Sequence, residues 1–245
     1  MKSFKAIVSL FFALLFLPLM SCKGDFFSSK AYRVGDIVLN DGSYLRGVDS
    51  ISEEEKAKAI AVIYKVYGNK AYGIGISRGY ARWCLSSAKG KKFVFKDIEC
   101  NEHYKINYGT YFTGDADGSD NFEQIAKALG ENDDTEIEGN YPAFEFAKNY
   151  KDQPNTHVSG TEYETDWYLP SIPELYDIWA ERKTLEEKIN ICASHTFSND
   201  SNYWSSTQYP DIEDAAYVFE FHNGNCYGTS KDFEKLVYCI RVFNW

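Results

Sequence analysis

Between Trp167 and Phe243 the hydrophobic period changes once, from helical to alternating, and this constrains the chain more than any other feature. A segment that spells short helices and then strands folds as helices packed on a sheet. Ser171 and Glu174 have the spacing of a capping box, Pro173 falls in the first turn, and Ile172, Leu175, Ile178 and Trp179 share one face. Thr184 and Glu187 repeat that spacing, predicting a second helix with Leu185, Ile189 and Cys192 inward. Strands follow to the C-terminus. Tyr217, Phe219 and Phe221 alternate with Val218, Glu220 and His222, so the first set is expected to face the core and the second the solvent. The fold class expected is α+β, with short helices and a twisted antiparallel sheet.

Upstream, the signals are shorter. Val34–Leu39 and Ser43–Gly47 read as strands joined by Asn40-Asp41-Gly42, and Ser52 with Glu55 caps a short helix through Ala59. Ile60–Tyr67 and Ala71–Ile76 form the next hairpin around Gly68-Asn69, with Gly73 and Gly75 marking a bulge. A loop from Cys84 to Cys100 is basic early, and residues 101–119 carry no regular pattern. Asp120 starts a helix that ends at Gly130, an acidic loop precedes a short helix from Pro142 to Tyr150, and residues 151–165 read as a polar loop.

The first 21 residues are read as a signal rather than fold. Lys2 and Lys5 precede an apolar run, Ile7–Leu17, too short to span a bilayer, and Leu19-Met20-Ser21-Cys22 is lipobox-like. Acylation is therefore expected at Cys22, with a tether over residues 22–33, one domain over 34–245, and anchoring to the outer membrane facing outward. The formal net charge of −10 becomes more negative once Lys2 and Lys5 are removed, which argues against nucleic-acid backbone binding.

Trp167-x-Leu169-Pro170-Ser171 followed by Glu174-Leu175, then Tyr203-Trp204-Ser205-Ser206, then Ile240-Arg241-Val242-Phe243, resembles the C-terminal block of bacterial C-type-lectin-fold proteins. These are related to the formylglycine-generating enzyme and to the variable proteins of diversity-generating retroelements. Spirochaete lipoproteins of this kind also begin with Val-Gly-Asp-Ile-Val and Asp-Gly-Ser, here Val34–Val38 and Asp41–Ser43. The resemblance implies a C-type-lectin-like fold that displays a variable C-terminal ligand surface. In the variable proteins this stretch is rewritten by adenine mutation in Asn codons. His222, Asn223, Asn225, Tyr227, Thr229, Ser230, Asp232, Phe233 and Tyr238 are reachable from such codons; Glu220, Lys231, Glu234 and Lys235 are not.

Catalytic chemistry finds little support. The histidines at 103, 157, 195 and 222 lack metal spacing, and Ser205 and Ser206 lack a nucleophile elbow. The cysteine motif of the formylglycine-generating enzyme has no counterpart at Cys226 or Cys239, so no enzymatic activity and no cofactor are expected. Asp115 and Asp117 offer calcium oxygens without the order of an EF-hand loop, which leaves calcium as the lesser option beside a plain turn. Gln153-Pro154-Asn155 is similar to the sugar-binding tripeptide of calcium-dependent lectins but lacks its Trp-Asn-Asp companion. In an oxidising compartment, disulfides are expected between Cys84 and Cys100 and between Cys192 and Cys239, leaving Cys226 over.

Eleven aromatic residues fall between Ser201 and Trp245, more than a core alternating with polar residues absorbs. The Tyr-, Asn-, Gly- and Ser-rich run after Asn223 has the composition of adaptable binding loops. The expected ligand-binding face is Gln208, Tyr209, Val218, Glu220, His222, Asn223, Asn225, Tyr227, Thr229, Lys231, Phe233 and Lys235, with Tyr227 and Phe233 as anchors. Its expected partner is a protein or glycan on another surface. The alternatives are a formylglycine-generating-type modifying enzyme and a structural envelope lipoprotein with no specific ligand.

Overall fold

The structure is a computed structural model that describes residues 31–105, 109–193, 195, 197 and 202–245. The signal segment, Cys22 and most of the tether lie outside the described residues. No helix among the described residues is long and apolar enough to cross a membrane.

Among the described residues, ten strands and five α-helices form in the order β1 (Ile37–Leu39), β2 (Tyr44–Leu45), α1 (Glu53–Lys56), β3 (Ala59–Tyr67), β4 (Lys70–Arg82), β5 (Cys100–Lys105), β6 (Gly109–Gly114), α2 (Asn121–Ala128), α3 (Pro142–Lys148), α4 (Ile172–Ala180), α5 (Arg182–Ala193), β7 (Asn202–Gln208), β8 (Ala215–Glu220), β9 (Asn225–Ser230) and β10 (Glu234–Asn244). Eight strands make one sheet in the order β2-β1-β3-β4-β10-β7-β8-β9, and β5 pairs with β6 separately. All pairings of the large sheet are antiparallel except β10 with β7, which meet in parallel at Leu236 and Tyr203. The fold is thus α+β, with a mostly antiparallel sheet and short helices.

The sheet is buried on both sides. One core gathers Ile60, Ile63, Trp204, Val218, Val237, Cys239 and Phe243 under α2 and α3 residues such as Ile125 and Phe144. The other gathers Val62, Ile74, Tyr203, Tyr217, Phe219, Tyr238 and Ile240 under Leu175, Ile178, Leu185 and Ile189 of α4 and α5. Successive residues of β8 and β10 alternate between the two cores, as the pleat requires. The glycines of β4 admit close neighbours: a Cβ at Gly75 would meet the Tyr150 hydroxyl at 2.4 Å, and one at Gly73 would meet Phe243 at 2.7 Å.

Helix α4 is capped as its sequence spells. Ser171 Oγ accepts from Glu174 N, and Ser171 N donates to Glu174 Oε2 at 2.8 Å. The Glu174 carboxylate also accepts from Gly118 N (3.2 Å) and the Tyr168 hydroxyl (2.8 Å), so one side chain joins three segments. The second capping box is not where the spacing placed it: α5 already begins at Arg182, although Leu185, Ile189 and Cys192 do face inward.

Two segments without a sequence pattern are strands. Residues 101–119 include the β5–β6 hairpin, and β9 runs through Asn225–Ser230. The disulfide expectation is also corrected, because Cys84, Cys100, Cys192, Cys226 and Cys239 are all thiols. Cys84 and Cys239 belong to the core under α2 and α3, whereas Cys100 and Cys192 belong to the opposite one, so the sheet separates both expected pairs. Alkylation in denaturant without reductant should accordingly recover Cys192 and Cys239 as free thiols; a linked peptide would contradict the arrangement.

Burial pushes the Glu174 carboxyl up from 4.5 to about 7 against its hydrogen bonds from Ser171 and Tyr168. The folded chain therefore holds this proton over a range where the unfolded chain has lost it. That contribution is complete below about 4.5 and disappears as pH rises through about 7. Glu174→Gln should flatten the fall in melting temperature across that window, and an unchanged slope would refute the assignment.

Candidate functional site

The C-terminal strands bring part of the expected face together and withdraw four of its members, Gln208, Tyr209, Val218 and Lys231. Along β7, β8 and β9 the cross-strand rows are Asn202–Glu220–Asn225 and Trp204–Val218–Tyr227, with Thr229 opposite Ala216. Tyr217, Phe219 and Phe221 are buried in the core beneath α4 and α5, as expected. Glu220 is half-buried, while His222, Asn223 and Asn225 are exposed. Tyr227 is 38% exposed and Phe233 55% exposed.

The Tyr227 hydroxyl and the Phe233 backbone each accept a hydrogen bond from β7. Asn202 Nδ2 donates to the Tyr227 hydroxyl at 2.5 Å, and Trp204 Nε1 donates to the Phe233 carbonyl at 3.3 Å. Lys235 places its ammonium 5.9 Å from the Phe233 ring centroid. Around the β8–β9 turn, Asn223 Nδ2 donates to Glu220 Oε2 (2.9 Å) and Asn225 N to Asn223 Oδ1 (2.8 Å). A second contact joins Asn223 Nδ2 to His222 Nε2 at 2.9 Å. The result is a surface that carries two exposed aromatic rings together with amide, carboxylate and ammonium groups. Such a patch suits noncovalent recognition.

Val218, Gln208, Tyr209 and Lys231 are corrections. Val218 does alternate away from Tyr217 and Phe219, but the second face is also buried there, against Trp204. Gln208 is fully buried, and its Nε2 donates to the carbonyls of Tyr209 (2.9 Å), Ile212 (2.7 Å) and Ala215 (2.8 Å), closing the β7–β8 loop. Tyr209 is half-buried, its ring 4.8 Å from that of Tyr217 and laid over Gly228, where a Cβ would meet it at 2.5 Å. It supports the hairpin from the opposite side.

Lys231 is fully buried despite its charge. Its ammonium donates to the carbonyls of Gly90 (3.0 Å), Phe93 (2.8 Å) and Glu213 (2.7 Å), and lies 4.8 Å from the centroids of both Trp83 and Phe95. Burial pushes it down to about 7, partly opposed by Cys84 and the carboxylates of Asp214 and Glu213. Beside it, Lys91 donates to Ser230 Oγ (2.6 Å) and pairs with Asp232 (3.3 Å) and Asp214 (3.6 Å). The basic loop 89–96 is therefore the support of the Phe233 turn. Opposite charges at 91 and 232 were the available signal, but nothing in their spacing joins segments so far apart. Lys231→Met keeps the volume but leaves three buried carbonyls without a donor. It should cost about 3 kcal/mol of stability, measured by denaturant unfolding. A near-neutral result would return Lys231 to the binding face.

The aspartates considered for calcium are occupied by their own turn. Asp115 Oδ1 accepts from Asp117 N (3.3 Å) and Asp117 Oδ1 from Ser119 N (2.9 Å). Among the described residues no three His, Cys, Asp or Glu side chains converge to hold a metal ion. Pro154 and Asn155 line a cleft of about 640 Å³ with Arg78, His157 and His195, where Asn155 and His157 adopt left-handed backbone (φ 60° and 56°). His157 Nδ1 meets the Ala59 carbonyl at 3.0 Å and His195 Nε2 the Ile76 carbonyl at 2.9 Å, so each ring is tied to the backbone.

The patch lies within a recognisable sequence unit. Residues 116–241, from the turn before α2 to β10, match the family described as the Lcl C-terminal domain. No curated protein matches the chain. Among solved structures, a fimbrial protein from Bacteroides ovatus ATCC 8483 shares the fold with a TM-score of 0.57 at 13% identity. The similarity covers 87% of this chain and 49% of that one, so the chain spans about half of its length. With the family match extending over half of its residues, the chain belongs to the Lcl C-terminal domain family.

Proposed function

We propose that the chain is a surface-displayed binding module that holds a protein or glycan partner noncovalently through the Tyr227–Phe233 patch. The observation that carries this reading is the pair of exposed aromatic residues, with the Tyr227 hydroxyl held by half-buried Asn202 and the Phe233 backbone carbonyl held by buried Trp204. Rigid amphipathic rings with hydrogen-bonding neighbours supply contact area at small entropic cost. Glu220, His222, Asn223, Asn225, Thr229 and Lys235 would provide the polar border. The family match and the fold shared with a fimbrial protein support display outside the cell. The sheet-and-helix arrangement supports a C-type-lectin-like fold, while the codon set, with Glu220 and Lys235 unreachable from Asn codons, does not choose between a diversified copy and a fixed relative of the retroelement variable proteins. In this reading Cys22 carries the lipid anchor, no cofactor takes part, and no covalent step occurs.

Binding of the purified chain to arrays of glycans and extracellular proteins identifies the partner. Tyr227→Ala or Phe233→Ala should then weaken binding by about 2 kcal/mol, roughly thirtyfold, while melting as the parent does. Phe221→Ala, whose ring stacks 4.3 Å from Phe197 inside the core, should instead lose about 3–5 kcal/mol of stability. Unfolding caused by the first two variants, or conversion of a sulfatase peptide to formylglycine, would overturn the proposal. Cys22→Ser should release the protein from membranes and abolish palmitate labelling.

A further inference from the structure

A second site lies on the other side of the sheet, at the N-terminal end of α4. A cavity of about 270 Å³ is lined by Tyr64, Lys65 and Tyr72 from β3 and β4, by Asp115, Ala116 and Asp117 from the turn after β6, and by Glu174. Lys65 is neutralised by Asp177 at 2.6 Å, so the remaining wall is carboxylic and aromatic. Tyr64 is 2% exposed, and its hydroxyl is a buried polar atom with no hydrogen-bond partner among the described residues. The Tyr64 and Tyr72 rings stand 6.3 Å apart at 55°, and the Lys65 ammonium already lies 5.7 Å from the Tyr72 centroid.

We propose that this cavity binds a primary ammonium group, such as a lysine side chain or small amine, between the Asp115 and Asp117 carboxylates and the tyrosines. Three features select this chemistry. A cation is attracted both by carboxylates and by tyrosine rings, so the two kinds of wall act in the same sense. Asp117 uses Oδ1 for Ser119 N, and Asp115 uses Oδ1 for Asp117 N; each carboxylate has a second oxygen, and that of Asp115 meets the Asn121 amide at 2.8 Å. An ammonium brings three donors, two of which the second Asp117 oxygen and the Tyr64 hydroxyl oxygen accept. A bare metal ion is disfavoured, because no three ligating side chains converge there. Burial, and then the charges of Asp120 and Asp117, raise Asp115; burial, with Asp117 contributing, raises Glu174.

The test uses the purified chain with Nα-acetyl-lysine methylamide, its uncharged norleucine counterpart, and calcium chloride as separate titrants, read by calorimetry and by NMR shifts of the tyrosine rings. The lysine derivative should bind saturably and shift Tyr64 and Tyr72, and the norleucine derivative should not. Asp117→Asn keeps the turn acceptor for Ser119 and should weaken binding about tenfold; Tyr64→Phe should weaken it about threefold, with both variants melting as the parent. Equal binding of norleucine, absence of saturable binding, or saturable calcium binding that excludes the amine would each overturn the proposal. Because Tyr227→Ala leaves this cavity untouched, loss of the amine site and loss of the aromatic patch are separately visible.

Discussion

Two tryptophans cross-link the halves of the sheet, and the candidate face depends on them. Strand β10 runs antiparallel to β4 from Glu234 to Asn244, yet on its other side it meets β7 in parallel only at Leu236 and Tyr203. So short a ladder is a weak seam for three strands to hang from. Trp83, just after β4, donates its indole N–H to the Ser205 carbonyl of β7 at 3.1 Å, and Trp204 of β7 donates to the Ala81 carbonyl of β4 at 3.0 Å. Both rings are fully buried. Side-chain donors thus take the place of ladder bonds across the seam, and the large apolar area around each indole keeps water from competing.

That seam explains why charge is buried near it. The turn leading from β9 into β10 must enter the sheet beside Trp83, and Lys231 and Lys91 fasten it to the carbonyls and carboxylates there. A buried lysine is costly unless its three donors are met, and here three carbonyls meet them. Phe233 then projects outward from a turn that is held on both sides. Its exposure is built into the framework rather than left over from packing.

The sequence was legible where local chemistry decides structure. The Ser171–Glu174 box, Pro173 and the inward face of α4 are all local, and they hold. Tyr217, Phe219 and Phe221 were legible for the same reason, since the pleat alone assigns them a common side. Illegible features depend on distant partners. Strand β9 has little apolar character because Gly228 must admit the Tyr209 ring, and its strand state is imposed by β8. Val218 looks outward by alternation, and only the helices α2 and α3 on the second face make that direction interior. The cysteine pairs failed on the same ground, because sequence order carries no information on which side of a two-faced sheet a thiol will lie.

The sheet's two buried faces also assign different work to its two ends. Helices and loops cover the middle of β3, β4 and β10 on both sides, although strand ends such as Tyr67 and Tyr80 are exposed. Toward β9 that cover thins: Tyr227, Asn225 and Phe233 reach solvent while Phe219 and Cys226, on the opposite side, still pack beneath α4. An end covered on one face only can change its outward residues without disturbing the core, because each outward position is backed by a backbone pairing rather than by a neighbour's volume. That end of the sheet thereby separates what faces out from what holds the fold.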